Sequence, residues 1–273
     1  MKHLILGIIQ GLTEFLPVSS SGHLVIFTKL FGLETDLFFD ALVHVATLLA
    51  VVIYFWKDIF AMAAGFISGS WQVLITRNFR KVYNESIQFK LACLIMVATF
   101  ATGVIGVSFQ DYFEGWFDSI SAVGWFLLLT GALLFLADRF GQGNRKENDF
   151  TRMDALVIGA AQGAAIAPGF SRSGATISMA LLRDLDKNLA ARFSFILSIP
   201  AILGAVILQG KDLAGGTAFS FSYLLGFIAA FITGYLAIKI FIDLLQKAKL
   251  RYFAYYCFVV GLLVLGWAFF AVG

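Results

Sequence analysis

Six stretches of the chain, at about 40–56, 90–107, 119–137, 192–209, 221–240 and 252–272, are apolar almost throughout. Each approaches the roughly 20 residues that a helix needs to cross a bilayer. Two further stretches, about 4–28 and 155–182, start and finish apolar but are broken in the middle by Pro, Gly and Ser. Non-helical backbone at membrane depth survives only where protein or water covers it. The pattern therefore predicts a re-entrant helix–loop–helix at each break, with an ordinary kinked transmembrane helix as the alternative.

The two broken stretches are copies of one another. Adding 152 carries Gly7, Gln10, Gly11, Ser19, Ser21 and Gly22 onto Gly159, Gln162, Gly163, Ser171, Ser173 and Gly174, while Pro17 misses Pro168 by one. Each half then holds one re-entrant hairpin and three crossings. An odd number of crossings inverts the second half relative to the first. The predicted fold is an all-α polytopic membrane protein: one domain over 1–273, with inverted-topology repeats at about 1–140 and 150–273.

Charge orients this scheme. Placing 57–90, 138–154 and the loops after 182 and 240 on the cytoplasmic side collects sixteen of the twenty lysines and arginines there, leaving Lys2, Lys29, Lys211 and Arg172 elsewhere. Asp111, Glu114 and Asp118 fall outside, as do both termini. This is the positive-inside bias of a multi-pass protein. Composition agrees: 60% of residues are hydrophobic, 14% are charged, and the mean hydropathy is +0.87. The small net charge of +3 is scattered over short loops and gives no nucleic-acid signal. Cys93 and Cys257 lie in apolar runs and read as small core residues. The first residues make a poor cleavable signal peptide. Tyr252, Tyr255, Tyr256 and Trp267 read as interfacial anchors. The polar joint 141–154 reads as a solvated loop, and Asp40 as a helix cap.

Ionisable residues at membrane depth are functional candidates. Glu14 and His23 qualify in the first broken stretch and Arg172 in the second. A helix over 8–15 puts Gln10 and Glu14 on one face. Ser19-Ser20-Ser21-Gly22 ahead of a helix offers hydroxyls and free N–H groups to a phosphate, and Ser171-Arg172-Ser173-Gly174 repeats that design with a guanidinium. The same serines could instead satisfy backbone groups at a helix break. Under the 152-residue offset Ser20 falls on Arg172, Glu14 on Ile166 and His23 on Ala175. One copy keeps the reactive groups and the other the anion clamp. His44 lies in an apolar span from which it could approach the site, and is expected to be a hydrogen-bonded core histidine.

The stretches Gln10-Gly-Leu-Thr-Glu-Phe-Leu-Pro-Val-Ser-Ser-Ser-Gly-His23 and Pro168-Gly-Phe-Ser-Arg-Ser-Gly-Ala-Thr176 resemble the undecaprenyl-diphosphate phosphatases linked to bacitracin resistance, and the likeness covers essentially the whole chain. The resemblance implies an enzyme of the bacterial cytoplasmic membrane. It would hydrolyse a polyprenyl diphosphate at a site facing the periplasm, recycling the lipid carrier of cell-wall synthesis, with a divalent metal, Mg²⁺ or Ca²⁺. It also implies that Glu14 is a motif acid, Ser20 the nucleophile, His23 the acid/base and Arg172 a phosphate ligand. Glu14 and Gln10 would hold the metal, and Gln10 stands where the family has Glu or Gln. Gln10, Ser19, Ser21, Ser171, Ser173 and Thr176 would line the substrate site. Attack by Ser20 and direct attack by water both remain open. The expected partners are the lipid substrate and the bilayer, with a homodimer left open. A transporter or flippase for the polyprenyl phosphate is the rival reading, because inverted repeats with broken helices also build transporters.

Overall fold

The computed structural model describes residues 1–33, 36–117, 119–213, 220–247 and 249–272. Asp118, expected on the outer side, lies outside them. The described residues are helical almost throughout and form no strand. Seven of their helices are long and apolar enough to cross a membrane. Six match the expected spans: α3 (Leu37–Tyr54), α6 (Ile87–Ser108), α8 (Ile120–Phe140), α11 (Lys187–Leu213), α12 (Phe221–Lys247) and α13 (Arg251–Val272). The chain is an all-α, multi-pass membrane protein.

The two broken stretches are short helix pairs. α1 (Lys2–Phe15) and α2 (Ser20–Leu30) form the first, and α9 (Arg152–Ala164) and α10 (Arg172–Leu182) the second. At 1.5 Å per residue even α1 is only about 21 Å long, too short for a bilayer core of about 30 Å. α1 stops because Leu16 precedes Pro17 and is forced into the extended region, at φ −69° and ψ 140°. α2 starts because the Ser19 hydroxyl accepts from Gly22 N, and α10 because Ser171 accepts from Gly174 N. Gly32 and Asp184, one repeat apart, both turn left-handed where α2 and α10 end.

Small residues let each hairpin lie against a long helix. Gly7 and Gly11 of α1 face Gly226, Ala230 and Thr233 of α12 so closely that an added Cβ would overlap them. One repeat on, Gly159 and Gly163 of α9 face Ala98, Thr102 and Ile105 of α6. This is small-residue helix packing as membranes favour it. α8 and α13 run antiparallel, Gly124 meeting Leu265 and Gly131 meeting Phe258.

The seventh apolar helix, α4 (Trp56–Thr76), occupies the region expected to be a cytoplasmic loop, together with the short α5 (Phe79–Glu85). Its neighbours show where it runs. α6 and α11 begin at one end of the bundle, where Lys90 donates to Asn148 O at 2.6 Å and Arg192 lies 3.8 Å from Glu147. α3 finishes there as well, since Phe55 packs on Phe195 and Asp58 pairs with Arg192 at 2.6 Å. α4 and α5 therefore leave and return at the same end and make no net crossing. Gly65 and Gly69 lay α4 across Gln88 and Phe89, at the start of α6. Most of its surface is exposed, with Trp56, Phe60, Ile67, Trp71 and Leu74 outward.

Two expectations need correction. The cap of α3 is Asp36, which accepts from Phe39 N at 3.0 Å, and Asp40 sits in the first turn. The joint 141–154 is not simply a solvated loop. Asp154 is fully buried and takes bonds from Arg145 at 2.6 Å, Arg183 at 2.7 Å and Thr151 at 2.7 Å. This node ties the joint to both ends of the second hairpin. At the matching positions of the first, Lys2 donates to Phe31 O at 2.7 Å, a single exposed bond.

Burial pushes the Asp154 carboxyl up, but the hydrogen bonds from Arg145, Thr151 and Arg183 outweigh it and hold the group below the usual carboxylate range. Its stabilisation is thus complete above about pH 4 and is lost as pH falls further. Asp154→Asn should cost about 3 kcal/mol near neutrality, measured by thermal unfolding in detergent. The gap from wild type should narrow in acid. The helix directions also place Asn78 and Asn144 at one end of the bundle and Gln110 at the other. With Cys93 and Cys257 replaced, single cysteines at these positions should divide accordingly: an impermeant thiol reagent added to cells with a permeabilised outer membrane should label only position 110.

Candidate functional site

The two hairpin turns meet inside the bundle. Arg172, the first residue of α10, is ion-paired with Glu14 Oε1 near the end of α1. Ser173 Oγ donates to Leu16 O at 3.3 Å. A Cβ at Gly22 would stand 3.0 Å from Gly169 Cα, and one at Gly169, whose φ is +92°, would overlap the Val123 backbone of α8. Each turn is held by a helix from the other half. Thr130 of α8 donates to Gly169 O at 3.2 Å and accepts from Ser171 N at 3.0 Å. Cys257 of α13 donates to Pro17 O at 3.6 Å.

Glu14 is the centre of the cluster, its side chain 4% exposed. Oε1 takes Arg172. Oε2 accepts from Gln10 Nε2 at 2.9 Å and from Ser20 Oγ at 2.5 Å. The i, i+4 spacing of Gln10 and Glu14 delivers the first bond, and the break at Pro17 folds Ser20 back for the second. A hydroxyl, a carboxylate and a guanidinium thus stand together in a site of low dielectric. A hydroxyl held by a carboxylate beside a planar cationic fork is suited to phosphoryl chemistry.

The remaining candidates are spent differently. Ser19 and Ser171 are helix caps, Ser21 lies 3.3 Å from the Ser19 hydroxyl, and Ser173 also lies 3.3 Å from Ser171 Oγ. Ser19 adopts a left-handed φ of 70°, a strained state for a residue with a side chain. Thr176 is buried, its hydroxyl 2.5 Å from Ser194 Oγ of α11 and 2.9 Å from Arg172 O, to which it donates. His23 faces α13: Nδ1 lies 2.7 Å from Ser19 O and Nε2 2.7 Å from the Tyr256 hydroxyl. Tyr256, expected to be an interfacial anchor, is thus the partner of a hairpin histidine.

One neighbour was underrated. His44 of α3 places Nε2 3.8 Å from Glu14 Oε2. The signal for it was present: at the 152-residue offset His44 falls on Ile196, the same loss of a polar group that marks Glu14 against Ile166.

The Glu14–Arg172 pair joins the two halves, so its loss should be felt globally. Glu14→Ala leaves a buried guanidinium unpaired and should destabilise the protein by about 3–5 kcal/mol. Glu14→Ala/Arg172→Ala should lose less than the two single variants together. Thermal unfolding of the three variants measures the coupling.

A family model described as bacitracin resistance protein BacA matches residues 3–263. The chain is 41% identical to the undecaprenyl-diphosphatase of Methanosphaera stadtmanae over 97% of its own length and 96% of the relative's. It is 44% identical to the undecaprenyl-diphosphatase of Alkaliphilus metalliredigens over 97% of both chains. It is 43% identical to undecaprenyl-diphosphatase 3 of Bacillus cereus strain ATCC 14579, over 97% of this chain and 96% of the relative.

Proposed function

The chain belongs to the BacA family of bacitracin resistance proteins, and we propose that it hydrolyses undecaprenyl diphosphate to undecaprenyl phosphate and inorganic phosphate where its two hairpin turns meet. The names of its relatives support the reaction. The observation that carries the site is the convergence of Ser20 and Arg172 on Glu14. Release of the monophosphate returns the lipid carrier to cell-wall synthesis and underlies bacitracin resistance. The protein sits in the cytoplasmic membrane as two inverted copies, and the site is reached from the periplasmic side, from which the first hairpin enters.

The prenyl tail lies between helices while the diphosphate enters the polar junction. Arg172 exchanges part of its contact with Glu14 for the terminal phosphate, a bidentate match of fork to oxygens. Ser20 Oγ attacks the terminal phosphorus. The new O–P bond forms as the bridging P–O bond breaks, and undecaprenyl phosphate leaves with the electron pair. The proton of Ser20, already directed at Oε2, passes to Glu14. Water then cleaves the phosphoserine and inorganic phosphate departs.

A hard divalent cation, Mg²⁺ or Ca²⁺, suits the oxygens of Glu14 and Gln10. Gln10 Oε1 is buried and finds no partner among the described residues. No three His, Cys, Asp or Glu side chains gather as a metal site among those residues, so substrate oxygens would complete the shell. When bound, the cation supplies charge neutralisation for the phosphate oxygens.

Purified protein in detergent should release inorganic phosphate from undecaprenyl diphosphate, whereas a flippase, with no membrane to act across, would release none. Arg172→Lys keeps the charge but loses the fork. It should lower kcat by more than about tenfold, or about 1.4 kcal/mol of transition-state stabilisation. Rapid quench with terminally labelled substrate should trap an acid-stable phosphoserine that Ser20→Ala lacks. Full turnover in Ser20→Ala would assign the attack to water.

A further inference from the structure

We propose that His44 is a ligand of the divalent cation at this site, adding one nitrogen donor to the oxygens of Glu14 and Gln10. The inference rests on the metal-dependent phosphatase reading given above.

The argument begins with a tautomer. Nδ1 of His44 lies 2.7 Å from the main-chain oxygen of Asp40. A carbonyl oxygen only accepts, so Nδ1 carries the proton, and Nε2 is the nitrogen that, in the neutral ring, offers a lone pair. That nitrogen lies 3.8 Å from Glu14 Oε2, with the His44 side chain 30% exposed and the Glu14 side chain 4% exposed. Nε2 and Oε2 therefore face each other too far apart for a hydrogen bond. A positive charge between them would hold both. Arg172 does not provide it on this side, because it engages the other oxygen, Oε1.

The spacing suits a cation. Two ligands at about 2.1 Å from a shared ion stand roughly 3.0–3.5 Å apart at octahedral to tetrahedral angles. His44 and Glu14 would close by about half an ångström to bind one. Gln10 can join them. Its Nε2 now donates to the same Oε2, and its buried Oε1 has no partner among the described residues. Turning the amide over exchanges the donor for an oxygen ligand at that place. All three groups come from α1 and α3, and the second copy supplies Ile166 and Ile196 where Glu14 and His44 stand. A nitrogen donor shifts the preference of the site from Ca²⁺ toward Mn²⁺ and Co²⁺.

Pulsed EPR of Mn²⁺ bound to the detergent-purified full chain, with inorganic pyrophosphate supplying phosphate oxygens, tests this directly. Wild type should show ¹⁴N coupling to the metal. His44→Ala and His44→Gln should lose it, and His23→Ala should retain it. Mn²⁺ affinity should fall by at least about tenfold in His44→Ala. A wild-type spectrum without ¹⁴N coupling, or one unchanged in His44→Ala, overturns the proposal and leaves His44 as a neighbour of Glu14 that holds no metal. Phosphate release is scored separately. Coupling that depends on His44 in a protein releasing no phosphate would uphold the ligand and sink the phosphatase reading.

Discussion

The fold turns on the energetics of one buried ion pair. Glu14 and Arg172 lie in different halves of the chain, and both are withdrawn from water. Either alone would be costly in the bilayer, and breaking such a pair exposes the survivor to that full penalty. A continuous helix could not bring the two together. The chain must break at Pro17 and Pro168 to bring its turns inward, and a broken backbone must find other partners at depth. Thr130 and Cys257 supply them, each reaching from the opposite half. The charged contact, the broken helices and the exchanged supports are parts of one solution.

The two hairpins are held unequally. At the base of the second, a buried carboxylate binds two arginines and a threonine, while at its tip Thr176 is fastened to Ser194. At the base of the first, the corresponding contact is one lysine on a carbonyl at the surface. An exposed bond of that kind contributes about 1 kcal/mol at most. The second copy thus presents a guanidinium on a stiff support. The first carries Ser20 and Glu14 on a hairpin with fewer ties at its base, with Ser19 held in a strained conformation at its turn.

Much of this could be read in the sequence, because a bilayer restricts the options. Six spans follow from apolar runs alone, and the 152-residue offset pairs Gly7 with Gly159 before either is seen against its helix. Glu14 and Arg172 stood out as charges in apolar surroundings. What escaped was decided by contacts distant in sequence. Charge places 57–90 on one side, but not that it contains the long apolar helix α4; Phe55 on Phe195 and Asp58 on Arg192 hold the start of that helix at the same end. Arg145 and Arg183 look like solvated cytoplasmic charges until Asp154 is found buried between them. The resemblance implies an acid/base role for His23, but no pattern in the chain names the partner of its imidazole. That partner is Tyr256, more than two hundred residues later, whose hydroxyl lies 2.7 Å from Nε2.

The asymmetry of the copies also fits what phosphoryl transfer requires. Most of the barrier is lowered by fixed charge around the transferring group and by correct placement of the nucleophile. A guanidinium works best if it does not reorganise as charge develops, which favours the rigid hairpin for Arg172. A nucleophile must approach phosphorus and withdraw after the bond breaks, which favours the looser one for Ser20. Two identical hairpins would have to compromise between these demands at each tip. Duplication followed by divergence lets each copy satisfy one of them. The Glu14–Arg172 contact keeps the two in register, and in the proposed reaction the diphosphate takes its place between them.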